Sequence, residues 1–475
     1  MYEFWSCPII SKLVKICRDI LSGSEQSQEP HTAASFSKPL VVTREHHVVS
    51  RKQLSPNALK VLYRLKDAGY DAYLVGGCIR DILLGLEPKD FDVVTNATPE
   101  QIKKQFRNCR LIGRRFRLAH IMFGREIIEV ATMRGHHSVE QEEKNKSQAS
   151  DQGQLLRDNV YGTIDEDAER RDFSINALYY SINDFSIHDF AGGIEAIKNR
   201  RIELIGDPET RYREDPVRML RAVRFATKLD MTIAPATEKP MFKLASLLGN
   251  IPAARLFEEM LKLFLNGKAE ANFDLLRHYG LFTYLFPALD SLLNKQPDGP
   301  ELALIKQVLS NTDKRINAGK KVTPAYLIAA FLWYPLQAQA KRITAQGETP
   351  FNAFNIAMNQ ILSDSAKAIA VPKRFTIGAR EIWQLQHRFD KRGGQRAFRL
   401  TQQPRFRAAK DFFCLRAQFE PELTELATWW DNYTEQDAGS QKRMVSELNK
   451  GSKSGGNYRR RRPRKPKNSS NKRHD

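Results

Sequence analysis

Cysteine is scarce in this chain: five occur in 475 residues, at positions 7, 17, 78, 109 and 414, and no two form a C-x-x-C pair. That argues against a disulfide scaffold and against a structural zinc site, and points to a reducing, cytoplasmic setting. No apolar run reaches the roughly 20 residues that a membrane-spanning helix needs. A repeat of 20–50 residues is missing as well, which gives no support to a solenoid. The first 21 residues lack both a long apolar core and a small-residue cleavage site, so no signal peptide is expected. Ile9, Leu13, Ile16 and Ile20, flanked by Lys12, Lys15 and Arg18, read instead as a short amphipathic helix. Packing on its own protein is the main reading of that stripe, and peripheral membrane contact the minor one.

Acidic residues are also in deficit. Against 75 Lys and Arg stand 55 Asp and Glu, a formal charge of +20. Eleven of the basic residues and one acidic residue fall in 450–475, so the chain before that stretch still carries +10. A basic body favours polyanionic partners, with nucleic acid first. A 41% hydrophobic, 27% charged composition is that of a globular protein long enough for two or three cores.

Along the chain, residues 1–50 read as a leader, its 22–54 portion and linker rich in Ser, Gln, His and Glu. Order is expected from Ser55-Pro56, an N-cap and N1 proline ahead of Leu59, Leu62 and Leu65 at helical spacing, ended by Gly69. A strand at Ala72–Val75, the Gly76-Gly77 turn, a helix from Ile79 to Gly85, a strand at Asp90–Val94 and a helix capped by Thr98-Pro99 follow. This alternation predicts a mixed α and β domain over 51–190. Residues 138–153 are polar and read as a surface insertion. From about 191 the pattern is helical through Trp429-Trp430. The Gly-, Ser-, Lys- and Arg-rich stretch from 436 reads as a disordered basic tail.

Four blocks carry chemistry. In Asp90-Phe91-Asp92-Val93 two carboxylates stand two apart on a strand and share a face. A D-x-D alone is more often a solvated edge, but flanking Phe91 and Val93 favour function here. Oxygen ligands of this type suit magnesium, which keeps positions open for phosphate. Glu129, in a second strand-like run, is a candidate third carboxylate. Gly76 and Gly77 let backbone N–H groups approach a phosphate, with Arg80 one turn later as a mobile cation. Arg170-Arg171-Asp172-Phe173-Ser174-Ile175-Asn176 joins guanidinium forks for phosphate to Asp and Asn groups suited to ribose or a base edge. Asp215-Pro216 opens a helix on which Arg218, Arg221 and Arg224 share one side. Three such arginines repel one another unless an anion sits among them.

In order and spacing, G-G-x-x-R-D, D-x-D, R-R-D-F-S-I-N and E-D-P-x-R-x-L-R-x-x-R-F resemble the signature set of the nucleotidyltransferase branch that contains bacterial poly(A) polymerases and CCA-adding enzymes. The resemblance covers roughly residues 45–435. Leu111–His120, Leu155–Gly162 and the basic C-terminal extension resemble the poly(A) polymerase side. No further histidines with suitable aspartates follow Ile187-His188-Asp189, so an HD phosphohydrolase is rejected. Cys78 departs from the small Gly or Ala of many relatives.

The resemblance implies an α+β fold: a polymerase-beta-like head with a mixed sheet (51–190), a helical neck for base recognition (191–250) and a helical RNA-binding body (251–435), ahead of the 436–475 tail. It implies that Asp90 and Asp92, with Glu129, hold two Mg2+ ions that Mn2+ could replace, and that Asp172 is a further essential aspartate. Gly76, Gly77, Arg80, Arg171, Asn176, Arg221 and Arg224 would bind the triphosphate and sugar, and Asp215 with Arg218 the base. The implied reaction is template-independent transfer of AMP from ATP to RNA 3′ ends, promoting RNA decay, by a monomer. CCA addition and an inactive RNA-binding regulator are the alternatives. Contact with RNA-decay machinery is left open.

Overall fold

The computed structural model describes residues 38–113, 117–135, 147–149, 155–158 and 160–451. The expected amphipathic helix near the N-terminus, most of the 138–153 insertion and the chain beyond 451 lie outside the described residues. Two compact units divide the chain. One comprises the sequence to Asn294 with Leu309–Val322 and Ser363–Val371; the other comprises Lys295–Val308, Thr323–Leu362 and the sequence from Pro372.

The first unit is built on a mixed sheet. Its strands are β1 (Leu40–Val42), β2 (Ala72–Val75), β3 (Asp92–Thr95), β4 (Cys109–Ile112), β5 (Leu118–Phe123) and β6 (Glu126–Thr132). A separate antiparallel pair, β7 (Ser147–Ala149) and β8 (Leu155–Asp158), precedes β9 (Leu178–Ser181) and β10 (Ile187–Asp189). The eight-stranded order is β1-β10-β9-β2-β3-β6-β5-β4. Every pairing is antiparallel except β3 with β6. Val75, Val94, Met133, Tyr179 and Phe190 pack into a core on one side of it.

Local signals operate as the sequence predicts. The Ser55 side chain accepts hydrogen bonds from the N–H groups of Asn57 and Ala58 at the start of helix Pro56–Asp67, and Thr98 and Gln101 form a reciprocal capping box on Pro99–Gln105. Leu40–Val42 corrects the leader boundary: these residues form the sheet's edge strand, paired to β10. Three residues are too short a run for periodicity to reveal. The adjoining chain is tied down as well, because buried His47 is hydrogen-bonded through Nε2 to the Phe185 carbonyl at 2.9 Å and Val49 is fully buried.

Beyond residue 190 the regular structure among the described residues is helical apart from one short parallel pair, β11 (Arg201–Ile202) with β12 (Thr232–Ile233). Contacts bind the expected head and neck into a single unit that extends to Asn294. In the second unit, helices Pro324–Phe331 and Lys373–Gln386 pack so closely that a Cβ on Gly378 would meet Ala325 Cβ at 2.9 Å. Trp333, Trp383 and Trp430 are buried there; the last two donate their indole N–H to the carbonyls of Ala329 and Phe389, both at 2.9 Å. Arg416 lies 4.2 Å above the Trp333 ring and pairs with Glu420.

The expected tail also needs correction, because residues 438–451 are helical. Asp437 caps this helix by accepting from Gly439 N at 2.7 Å and Ser440 N at 3.2 Å, and Val445 is buried. Its hydrophilic composition hid one apolar edge formed by Met444, Val445 and Leu448.

Candidate active site

Strand register places the first group. Val75, the last residue of β2, faces Asp92 at the start of β3, and Asp92 in turn faces Glu129 on parallel β6. The Gly76-Gly77 turn, Asp92 and Glu129 therefore line one end of the sheet. Asp92 is open to solvent, yet protein crowds it from several sides. Desolvation, then repulsion from Glu129, pushes its carboxyl up to about 6; Arg171 pulls it down, and Asp90 pushes it further up. Asp90 itself lies just before β3 rather than within it. His120 Nε2 is 3.1 Å from Glu129 Oε1 but is not aligned for a hydrogen bond.

Among the described residues, no three His, Cys, Asp or Glu groups are drawn tightly enough to hold a metal by themselves. Magnesium does not require that: one or two carboxylates suffice when substrate phosphates and waters complete the shell. The crowded carboxylates at Asp92, Glu129 and Asp90 fit such an ion in charge and in donor type. A cation would relieve their mutual repulsion.

The glycine turn is geometrically demanding. Gly76 has φ +77° and ψ −130°, a conformation costly for any residue with a Cβ. A Cβ there would approach Arg171 NH1 and the Asn176 carbonyl at 3.7 Å each, so the turn, Arg171 and Asn176 are neighbours. Arg171 donates from Nε to the Tyr179 hydroxyl at 2.8 Å and to Asp167 at 3.1 Å. It is a fixed positive charge beside Asp92.

Arg80 is not the mobile cation the sequence predicted. Only 3% exposed, it donates to Asp81 Oδ1 at 2.8 and 2.6 Å and to Asn176 Oδ1 at 2.5 Å, with its guanidinium 5.2 Å from the Phe225 ring centre. The adjacent carboxylate neutralises it. Asn176 spends its amide nitrogen on Asp172 at 3.1 Å, so it bridges Arg80 and Asp172 instead of presenting a free amide to a ribose.

Asp172 accepts from Phe173 N at 2.8 Å and from Arg221 Nε at 2.6 Å, with a second short contact to the same guanidinium. Burial alone would raise its pKa, but Arg221 and the hydrogen bonds outweigh it and hold the carboxyl down at about 2. Asp172 is thus a clamp between the Arg170-Arg171-Asp172 segment and helix Val217–Leu229.

The arginines of that helix differ in their partners. Arg218 pairs with Glu214 at 2.9 Å and donates to the Arg211 carbonyl at 2.8 Å, while Arg221 pairs with Asp172. Arg224 Nε is buried without a hydrogen-bond partner, and its guanidinium lies 4.7 Å from the Phe225 ring. The repulsion expected among three arginines is met by carboxylates at two of them, Arg218 and Arg221, and Lys228, one turn beyond Arg224, is 3.5 Å from Asp81.

Asp215 and Arg218, the expected base-reading residues, each take a fixed partner: Arg218 is held by Glu214. Asp215 takes a two-point bridge from Arg255, NH1 to Oδ1 at 2.8 Å and NH2 to Oδ2 at 2.6 Å. Arg255 and Glu259 stand one turn apart on helix Ala253–Phe264. Glu259 is 5% exposed, accepts from Lys262 at 2.8 Å, and its other oxygen has no partner. Sequence reading missed both because they lie outside the motif blocks. The one available signal was an arginine and a glutamate four apart on the apolar side of a helix.

Similarity to known proteins bears on the same regions. A family model described as Poly A polymerase head domain matches residues 72–203, one described as Probable RNA and SrmB- binding site of polymerase A matches 230–293, and one described as Polymerase A arginine-rich C-terminus matches 346–467. Poly(A) polymerase I of Escherichia coli O6:H1 is 51% identical over 460 residues, covering 96% of this chain and 98% of that protein. Poly(A) polymerase I of Haemophilus influenzae is 48% identical, covering 84% and 89%. Among solved structures, the Bacillus stearothermophilus CCA-adding enzyme in complex with CTP superposes with a TM-score of 0.53 at 25% identity, covering 78% of this chain and 82% of that one.

Proposed function

The chain belongs to the poly(A) polymerase I family, and from that premise we propose that it transfers AMP from ATP to RNA 3′ ends without a template, releasing pyrophosphate. The observation that carries the reading is the register Val75–Asp92–Glu129, which sets two crowded carboxylates beside the Gly76 turn. In the reaction the RNA 3′-hydroxyl forms a bond to the α-phosphorus as the bond to the β-phosphate oxygen breaks. Asp90, Asp92 and Glu129 would hold divalent magnesium, which when bound supplies Lewis-acid stabilisation of attacking and leaving oxygens.

The remaining work falls to protein groups. The Gly76 turn brings backbone within reach of the triphosphate, and Arg171 holds a positive charge at its side. Arg224 and Lys228 offset the charge that accumulates on departing pyrophosphate. Asp215, oriented by Arg255, presents a fixed carboxylate–guanidinium edge that discriminates among bases without a template strand. Arg80, Asn176, Asp172 and Arg221 position these groups and do not contact the nucleotide in this scheme. The basic helical segments hold the RNA backbone, with binding that weakens as salt rises. The proposed setting is cytoplasmic, acting as a monomer that feeds RNA decay. No described helix is long and apolar enough to cross a membrane.

The test is a primer-extension ladder run separately with ATP, CTP, GTP and UTP on an unstructured RNA with magnesium. Long ladders with ATP alone are expected. Growth that stops after a short, fixed CTP-containing addition to tRNA would favour CCA addition, the reading that the fold likeness keeps in play. No extension with any nucleotide would overturn both.

A further inference from the structure

The second unit holds a cavity of about 550 Å³ to which the transfer scheme assigns no role. Gln395, Phe398, Tyr433, Gln441, Lys442 and Val445 line it. Its lining is mixed in a telling way. Phe398 is 53% exposed, whereas Tyr433 and Val445 are buried. Exposure of a large aromatic ring at a cavity mouth has an energetic cost that a stacked ligand would remove.

The surroundings select the ligand. Tyr433 lies parallel to Trp429, with ring centres 4.8 Å apart and planes within 13°, and Arg392 stands 5.2 Å from the Trp429 ring centre. Residues 388–410 contain eight Lys or Arg and one acidic residue, Asp390. Lys442 sits on the cavity lining itself. Phe398 presents an exposed ring face within this basic segment, a pairing that matches single-stranded nucleic acid, whose bases stack while its phosphates meet the cations. An acidic protein would find the charge but has no need of the ring.

We propose that this cavity is a base-binding site for the single-stranded RNA substrate: an unpaired nucleobase stacks on Phe398, and Lys442 with the neighbouring arginines meets the flanking phosphates. Gln395 and Gln441 supply polar edges. The site rests on the reading of the chain as an RNA-extending enzyme and adds to it a grip on the acceptor strand remote in sequence from the carboxylates. Stacking tolerates any base, so the grip is sequence-tolerant.

The experiment uses full-length protein and fluorescence anisotropy with two labelled strands of equal length, oligo(A) and an abasic ribose-phosphate strand. Phe398→Ala should raise the Kd for oligo(A) on the order of tenfold and leave the abasic strand unchanged. Phe398→Tyr, which keeps the ring, should restore oligo(A) binding to near the native value. Lys442→Ala should instead weaken both strands alike and flatten the salt dependence. Unchanged oligo(A) binding by Phe398→Ala, or equal loss on both strands, overturns the site. Either result with native ATP ladders intact removes this inference alone, whereas absence of ladders in the native protein removes the polymerase reading.

Discussion

Asp92 and Asp172 are the same residue type in one unit, and their surroundings drive them in opposite directions. Asp92 faces Glu129 across a parallel pair, with Asp90 close by, and is pushed up to about 6. Asp172 is gripped by Arg221, Asn176 and a backbone N–H and held at about 2. The first is a carboxylate short of positive charge; the second already has its counter-ion. Motif matching labels both as essential aspartates. In the proposed scheme their environments divide them into a cation ligand and a clamp, and that division can be broken by experiment.

The largest expected effect is on turnover. Asp92→Ala should lower AMP addition by about 10³-fold or more, the scale of losing a preorganised electrostatic group, with an unfolding midpoint close to native. Collapse of the fold together with activity would make Asp92 a structural residue and erase the contrast. Gly76→Ala comes next. At φ +77° a Cβ costs roughly 1–3 kcal/mol, so urea denaturation should show reduced stability along with lost activity. A variant of native stability would mean the turn is not held as described.

Asp172→Asn should reverse the Asp92 pattern. Leaving Arg221 without its partner costs roughly 3 kcal/mol in the range for broken partly buried pairs, read by urea denaturation. Native stability with lost turnover would move Asp172 into the reaction. The pH dependences also oppose. Asp172, lowered from 3.8 to about 2, contributes stability that is present above about pH 4 and lost as the pH falls toward 2. Asp92, raised from 3.8 to about 6, favours the metal-free fold in its neutral form, fully below about pH 4, and that contribution is lost as the pH rises through 6. Asp92→Asn should therefore make the metal-free protein slightly more stable above pH 6, detected by thermal melts in chelator. A smaller effect is expected at Arg255: Arg255→Met should raise KM for ATP about tenfold and relax preference over CTP, because Asp215 loses its orientation.

These contrasts show where sequence reading stops. Side chains two apart near a strand and a Gly-Gly turn are local features, so the carboxylates and the turn were legible at once. Helix caps at Ser55 and Thr98 were legible for the same reason. Partner choice is not local. Asp215 finds Arg255 forty residues away, while the nearer Arg218 is captured by Glu214 one turn before it. Arg80 looked mobile because its neighbour Asp81 and distant Asn176 could not be seen to close on it. Leu40–Val42 becomes a strand only because β10 offers it an edge, and the 438–451 helix only because an apolar edge is covered.

The division between cation ligand and clamp is tested most directly by Mn2+ binding, followed by electron paramagnetic resonance in the native protein and in Asp92→Asn and Asp172→Asn. Native protein and Asp172→Asn should bind Mn2+ comparably at pH 7.5, with native binding weakening below about pH 6 as protons compete at Asp92. Asp92→Asn should lose most of that binding. Native-like Mn2+ binding by Asp92→Asn, or its loss in a folded Asp172→Asn, would contradict the assignment.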